Sequence, residues 1–321
     1  MVKSLNQILS KSLSNISKKN ISKFLVSHFC DQHPIDWDKT FKRKAPLFVE
    51  IGFGNGEYLV AQAQKYPNRN FIGIEIEFSL IQKVVKRINR AKVKNIRLLC
   101  VDAYVAFERL FKNRSIAYAH SLFPFPWPKK RHYKKRLFHK NFLKIVNSRL
   151  KKGGHFQVVT DFKPYFEWIL RQSKNIGFEI KKDSLRPQFN TRFERLWSNE
   201  GQKLFFSVLL TKNKHLDIPV CKQAKITPHV VPEFNPNKFC LKNKTSSDLS
   251  IVFKKFSVGE NAATQSVVVA EPHLTQLFNI FFVKKKNRWE ISLEKNDRLI
   301  KTDGIKKSLE MTKEGCLKTR A

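Results

Sequence analysis

Apolar and polar positions change period repeatedly along this chain. "PLFVEIGFG" (46–54) is a short apolar run closed by glycines, and "EYLVAQAQKY" (57–66) then spaces its apolar residues three and four apart. The exchange recurs. "NFIGIEIE" (70–77) precedes the basic amphipathic stretch "SLIQKVVKRINRAK" (79–92). "NIRLLCVDA" (95–103), "AYAHSLFPFPW" (117–127) and "HFQVVTDF" (155–162) read as further strands, and "YFEWILRQSKNI" (165–176) as a helix. Strands of four to eight residues alternating with helices predict βαβ units and an α/β fold with a doubly wound, mostly parallel sheet. In such a sheet ligands sit at the C-terminal ends of the strands, near the switch point.

The pattern differs at both ends. Residues 1–44 are polar and basic and predict a basic N-terminal arm with short helices. From "TKNKHLDIPV" (211–220) onward come Pro219, Pro228, Pro232 and Pro236, followed by runs with a two-residue period. "DLSIVFKKFSV", "QSVVVAE" and "LFNIFFVKKKNRWEISLEK" predict a small α+β extension whose hairpin turns at Lys285-Lys286-Asn287. The expected organisation is an arm over 1–44, a main domain over 45–214 and an accessory domain over 215–321. The accessory domain reads equally as an RNA-binding module or as a plain structural extension.

Charge changes the picture most. Lys and Arg number 62 against 26 Asp and Glu, a formal net charge of +36. That excess favours a polyanionic partner, nucleic acid first. Codon bias in a lysine-rich proteome is the bland alternative. Five scattered cysteines without a CxxC point to a reducing interior, with no disulfide framework and no zinc site. No apolar run reaches membrane-spanning length, so no membrane partner is expected.

Three acidic residues fall where a nucleoside would be held. Glu50 lies two residues before Gly52-Phe-Gly54-Asn-Gly56, at the first strand-to-helix turn. Glycines there permit positive φ and close approach of backbone to a ligand. Position 57 is Glu, so the Gly-x-Gly-x-x-Gly spacing of a dinucleotide site fails. A carboxylate beside the turn suits a positively charged ligand such as S-adenosylmethionine. Glu75 ends the second strand, placed to accept from ribose hydroxyls. Asp102 ends the third, placed to accept from an adenine amino group. Each alone also reads as a solvated strand end.

The loop "FPFPWPKKRHYKKR" (123–136) follows the fourth strand. Pro124, Pro126 and Pro128 restrict it. Phe125 and Trp127 offer a surface for a base, or an anchor to the core. Lys129, Lys130, Arg131, His132, Lys134, Lys135 and Arg136 are expected to supply phosphate contacts, with steep salt dependence. Asp161 ends the fifth strand. "NTRFERLWSNEGQ" (190–202) groups Thr191, Arg192 and Glu194, which also reads as a helix N-cap with an ion pair.

Taken in order, "EIGFGNGEYLV", "NFIGIEI", "VDA", "LFPFPWPKKRH", "RLFHKNFL", "LKKGGHFQVVTDF" and "TRFERLWSNEGQ" resemble the successive blocks of the bacterial tRNA (guanine-N7)-methyltransferase family, over roughly 46–211. The resemblance implies a class I, Rossmann-like methyltransferase fold with a seven-stranded sheet. It implies transfer of a methyl group from S-adenosylmethionine to N7 of a guanine in the variable loop of tRNA. It also implies a cytoplasmic location, and a monomer or simple homodimer. By position it assigns cofactor contacts to Glu50, Glu75 and Asp102, with Gly52, Gly54 and Gly56 in the turn between. Substrate contacts fall on Lys129, Asp161, Thr191, Arg192, Phe193 and Glu194.

The chain departs from the family at the centre of the loop, where Phe125 replaces the Asp of Pro-Asp-Pro-Trp. The catalytic residue is therefore unassigned. The alternative reading is a tRNA-binding homologue with its chemistry lost. A third reading, a methyltransferase of exocyclic amines, lacks the Asn or Asp that its loop requires.

Overall fold

The alternating segments build one sheet of seven strands in the chain's structure, a computed structural model described over residues 21–29, 32–293 and 299–319. The strands are β1 Leu47–Ile51, β2 Asn70–Glu75, β3 Ile96–Cys100, β4 Ile116–Leu122, β5 Leu150–Thr160, β6 Phe178–Leu185 and β7 Phe205–Lys212, in the order β3-β2-β1-β4-β5-β7-β6. The first five pair in parallel, and β7 runs antiparallel to both β5 and β6. The fold is the expected doubly wound, mostly parallel α/β sheet. Its switch point lies between β1 and β4, where the chain crosses from one half of the sheet to the other.

Central strands buried on both faces explain the unbroken apolar runs: Val49, Ile72, Leu98 and Ala119 are all fully covered. Helix Phe78–Ala91 shows the complementary pattern. It buries Phe78, Ile81, Val84, Val85 and Ile88 along one side, and Lys92 ends it in the left-handed conformation.

The chain divides into two compact units, the first holding 21–27 and 33–221, the second holding the residues from 222 onward together with His28, Phe29 and Gln32. Strand β7 ends at Lys212, but the chain from 215 to 221 stays with the first unit, seven residues past the expected boundary at 214. Buried Arg149 holds it there, donating to the carbonyls of Ile218 (2.7 Å) and Pro219 (3.2 Å), and also to Phe107 (2.7 Å). Residues 1–20 of the expected arm lie outside the described residues. Within 21–44, however, Phe24, Trp37 and Phe41 are buried, and the Trp37 indole donates to the Leu110 carbonyl. Residues 21–27 and 33–44 are part of the first unit, because their apolar residues cover the β3 edge: Leu25 bridges to Leu98.

The second unit is an antiparallel sheet of β8 His229–Val231, β9 Lys244–Thr245, β10 Ser250–Val258, β11 Ala262–Glu271, β12 Leu274–Lys285 and β13 Arg288–Leu293, in the order β8-β13-β12-β11-β10-β9. Ile305 and Leu309 of helix Asp303–Leu317 belong to one buried apolar cluster with Val267, Val269, Phe278 and Ile280. Lys285 pairs with Arg288, so the hairpin turns on Lys286-Asn287. No helix among the described residues is long and apolar enough to cross a membrane.

Candidate active site

The parallel register sets the acidic residues side by side. Glu50 pairs with Gly73 and, on its other side, with His120; Glu75 pairs with Cys100, and Asp102 follows two residues later. All three carboxylates therefore stand at the C-terminal edge of β1, β2 and β3.

The turn between β1 and helix Glu57–Lys65 carries positive φ at Gly52 (70°), Gly54 (53°) and Gly56 (69°). A Cβ added at Gly52 or Gly54 would meet nothing within 4 Å. Gly56 is different, since its Cβ would lie 2.0 Å from Val84 Cγ2. Gly56, expected among the cofactor contacts, is a glycine because two helices touch there.

The Glu75 carboxylate is oriented by three backbone N–H groups: Gly54 (3.3 Å), Ile76 (2.9 Å) and Glu77 (3.3 Å). Asp102 caps helix Ala103–Arg109, its Oδ1 accepting from Tyr104 N (2.7 Å) and Val105 N (3.4 Å). Glu50 is 3% exposed, and its Oε2 stands 3.4 Å from His120 Nε2 without a hydrogen bond. Burial and the neighbouring Glu50 charge push the Tyr58 phenol up to about 12. A buried carboxylate oxygen left without a donor is costly, and a bound cation would relieve that cost.

Beyond β4 the chain turns sharply. Phe123 (φ 53°) and Trp127 (φ 44°) are both left-handed, which costs about 1–2 kcal/mol each. The Phe123 ring packs edge-on against Phe205. Phe125 is 66% exposed, its ring 4.8 Å from that of Trp127. Lys135 lies over the Trp127 ring at 4.7 Å. Lys129, Lys130, Arg131, Lys134 and Lys135 are exposed, as a phosphate rim requires.

Arg136 is not part of that rim. It is 1% exposed, and its guanidinium donates to Pro126 O (2.9 Å) and Trp127 O (3.3 Å). It lies over the rings of Tyr133 (3.7 Å), Tyr165 (5.0 Å) and Trp168 (5.2 Å). Expected as a phosphate contact, it is the internal clamp of the loop.

Asp161 follows the last residue of β5, half-buried, and burial raises its carboxyl above the usual aspartate range. Thr191 caps helix Arg192–Asn199, accepting from Glu194 N (3.2 Å). Arg192 and Phe193 are exposed. Glu194 is 2% exposed, and its carboxylate accepts from the backbone N–H of Gln188 and Phe189 (2.8 Å each) and of Asn190. Expected as a substrate contact, this carboxylate is committed to shaping the turn that presents its neighbours.

Glu57 is a residue of the candidate site that sequence reasoning passed over. It accepts from Arg192 N and from the Arg195 guanidinium, both at 2.8 Å, and so ties the glycine turn to the TRFE helix. Its sequence signal was its place as the first helical residue after the glycines. His120 was missed too, and only its register opposite Glu50 reveals it.

The profile of a family described as a putative methyltransferase matches residues 44–207. The tRNA (guanine-N(7)-)-methyltransferase of Chlorobium phaeobacteroides is 46% identical over 176 residues, 55% of this chain and 86% of that protein. The chain belongs to the tRNA (guanine-N7)-methyltransferase family. The enzyme of that name from Thermotoga maritima is 29% identical over 286 residues, 86% of this chain and 91% of its own. A match of that length cannot fit within residues 1–221, so it runs into the C-terminal unit. The resemblance read from the sequence stopped near 211, and the second unit is thus shared with a relative rather than appended to this chain alone. A solved 16S rRNA methyltransferase, KamB, is 14% identical, with a TM-score of 0.43, over 64% of this chain and 96% of that one. Nothing in these comparisons supports the reading of a family member with its chemistry lost.

Proposed function

We propose that the protein transfers a methyl group from S-adenosylmethionine to N7 of a guanine in tRNA. The observation that carries this reading is the row Glu50, Glu75 and Asp102 beside the open-faced Gly52 and Gly54. The donor set fits the cofactor. Glu75, pre-oriented by three N–H groups, would accept from the ribose hydroxyls. Asp102 Oδ2 would accept from the adenine amino group while Oδ1 caps its helix. The undonated Oε2 of Glu50 is an acceptor for the amino-acid ammonium. When bound, S-adenosylmethionine supplies an electrophilic methyl group on sulfur.

The chain's own residues have an alignment task. Guanine N7 has a free lone pair and no proton to lose, so orientation matters more than a general base. The exposed ring of Phe125 offers a stacking surface, and Lys129 with its neighbours holds the backbone phosphates. Thr191, Arg192 and Phe193 approach the base from the helix that Glu57 and Glu194 fix in place. The purine becomes cationic as it is methylated. Asp161, at the end of β5, would stabilise that charge, the task the family's missing Asp would share. The proposal includes a cytoplasmic location, the variable loop as the target, and action as a monomer or simple homodimer.

The test is direct. Purified protein with labelled S-adenosylmethionine and unmodified tRNA should yield 7-methylguanosine. Calorimetry should show cofactor binding that Glu75→Ala and Asp102→Ala weaken. A null titration with folded protein would remove the reading. So would tRNA that is bound but never methylated, by wild type and by Phe125→Asp alike.

A further inference from the structure

Helix Phe78–Ala91 keeps its apolar side against the sheet and presents Lys83, Lys86, Arg87 and Arg90 to solvent. These four stand at i, i+3, i+4 and i+7, which is one stripe on an α-helix. Every neighbouring pair within the stripe carries like charge, and the helix contains no acidic residue. Like charges at those spacings destabilise a helix, so folding alone does not call for this arrangement. A groove of about 520 Å³ borders the stripe, lined among others by Glu57, Arg87, Arg90, Asn190 and Arg195. The carboxylate in the groove is already shared: Glu57 receives Arg195 at 2.8 Å, Arg87 at 3.7 Å and the Arg192 backbone N–H at 2.8 Å. One negative charge faces three guanidinium groups, and the groove stays strongly positive.

We propose that this stripe, with Arg195, is a second docking surface for the sugar-phosphate backbone of the RNA substrate, separate from the Lys129–Lys135 rim. The inference rests on tRNA being the substrate. Charge complementarity selects the occupant: a row of mobile cations repeating along one helix face neutralises successive phosphates without reading bases. Position supports it, because the groove shares Glu57 with the helix that presents Arg192 and Phe193. RNA lying in the groove would continue directly onto that helix. The stripe also explains the use of arginine at 87, 90 and 195, whose planar fork suits phosphate geometry.

The test is Lys83→Gln, Lys86→Gln and Arg90→Gln combined, which leaves Arg87, Arg195 and the Glu57 contacts in place. Glutamine keeps helix propensity, so the variant should fold and bind S-adenosylmethionine as wild type does. KM for tRNA should rise about tenfold with kcat retained. The slope of log affinity against log salt should become shallower by about two to three, near one for each phosphate released. Unchanged KM and salt slope, with the wild type still methylating tRNA, would overturn the inference and leave the proposed function standing. If the wild type bound no tRNA in the same assay, the proposed function itself would fall. Loss of binding to anionic phospholipid vesicles with tRNA affinity unchanged would also overturn it, by making the stripe a membrane-surface contact.

Discussion

Replacing Arg136 by methionine separates the two roles that its sequence and its structure assign. The change keeps bulk and removes two hydrogen bonds to the carbonyls of Pro126 and Trp127, at 2.9 and 3.3 Å. A hydrogen bond from a charged donor contributes about 1.5–3 kcal/mol. Contact of the guanidinium with the Tyr133 ring at 3.7 Å adds about 0.5–2 kcal/mol. Against this, a cation no longer has to be buried, and the left-handed Trp127 can relax, recovering about 1–2 kcal/mol. The net loss is about 3 kcal/mol, which for a unit of this size lowers its melting midpoint by roughly 6–12 °C. With the loop unpinned, kcat should drop while cofactor affinity holds, because the Glu75 and Asp102 ends are built on other strands. Thermal unfolding followed by circular dichroism, and titration with S-adenosylmethionine, read both. A surface phosphate contact predicts the opposite pattern: unchanged midpoint and a shallower salt dependence of tRNA binding. That result would refute the clamp.

Other outcomes follow from the same geometry. Gly56→Ala places a methyl 2.0 Å from Val84 Cγ2 at a φ of 69° and should cost about 2–4 kcal/mol by urea unfolding. Gly54→Ala meets no neighbour, so it should cost only about 1 kcal/mol yet weaken S-adenosylmethionine binding. Burial raises the Asp161 carboxyl, so it ionises less readily in the folded protein than in the unfolded chain. The stability this contributes is present at acid pH and lost as pH rises through the raised value, and kcat/KM should climb over the same window as the carboxylate ionises. Asp161→Asn should flatten that limb of the profile and lower the plateau. Phe125→Asp leaves the core untouched and should raise the methylation rate, by up to the ~2.7–4 kcal/mol that one electrostatic group can supply; an equal or slower rate would show that Phe125 serves the reaction as it stands.

The sequence made legible whatever depends on local period or on the end of a strand. Apolar runs and helical spacing located β1 to β5, and the residue closing each run fell at the sheet edge because the strands are parallel and in register. Side-chain direction within a charged segment was not legible. In "PKKRHYKKR", seven of the nine residues are basic, and nothing local distinguishes Arg136 from Lys135. Arg136 turns inward because Tyr165 and Trp168, from a helix about thirty residues later, complete its pocket. Glu194 was obscured for the same reason, since three amides of the preceding turn converge on it only after Thr191 starts the helix. Among the described residues, the packing departs from the expected boundaries where apolar residues sit in polar surroundings: Phe24, Trp37 and Phe41 lie among lysines, and Leu216 and Ile218 follow the last strand.

Glu57 links the two halves of the candidate site. It stands where a dinucleotide fold would place its third glycine, the residue that lets helix and strand pack closely. Here close packing is handled one position earlier, by Gly56 against Val84. Position 57 is thereby free to carry a side chain, and its carboxylate reaches the Arg192 backbone and the Arg195 guanidinium. The turn that would cradle the cofactor and the helix that would face the base thus share one ion-paired anchor. With the glycine spacing shifted by one residue, position 57 links the turn that would hold the methyl donor to the helix that would face its acceptor.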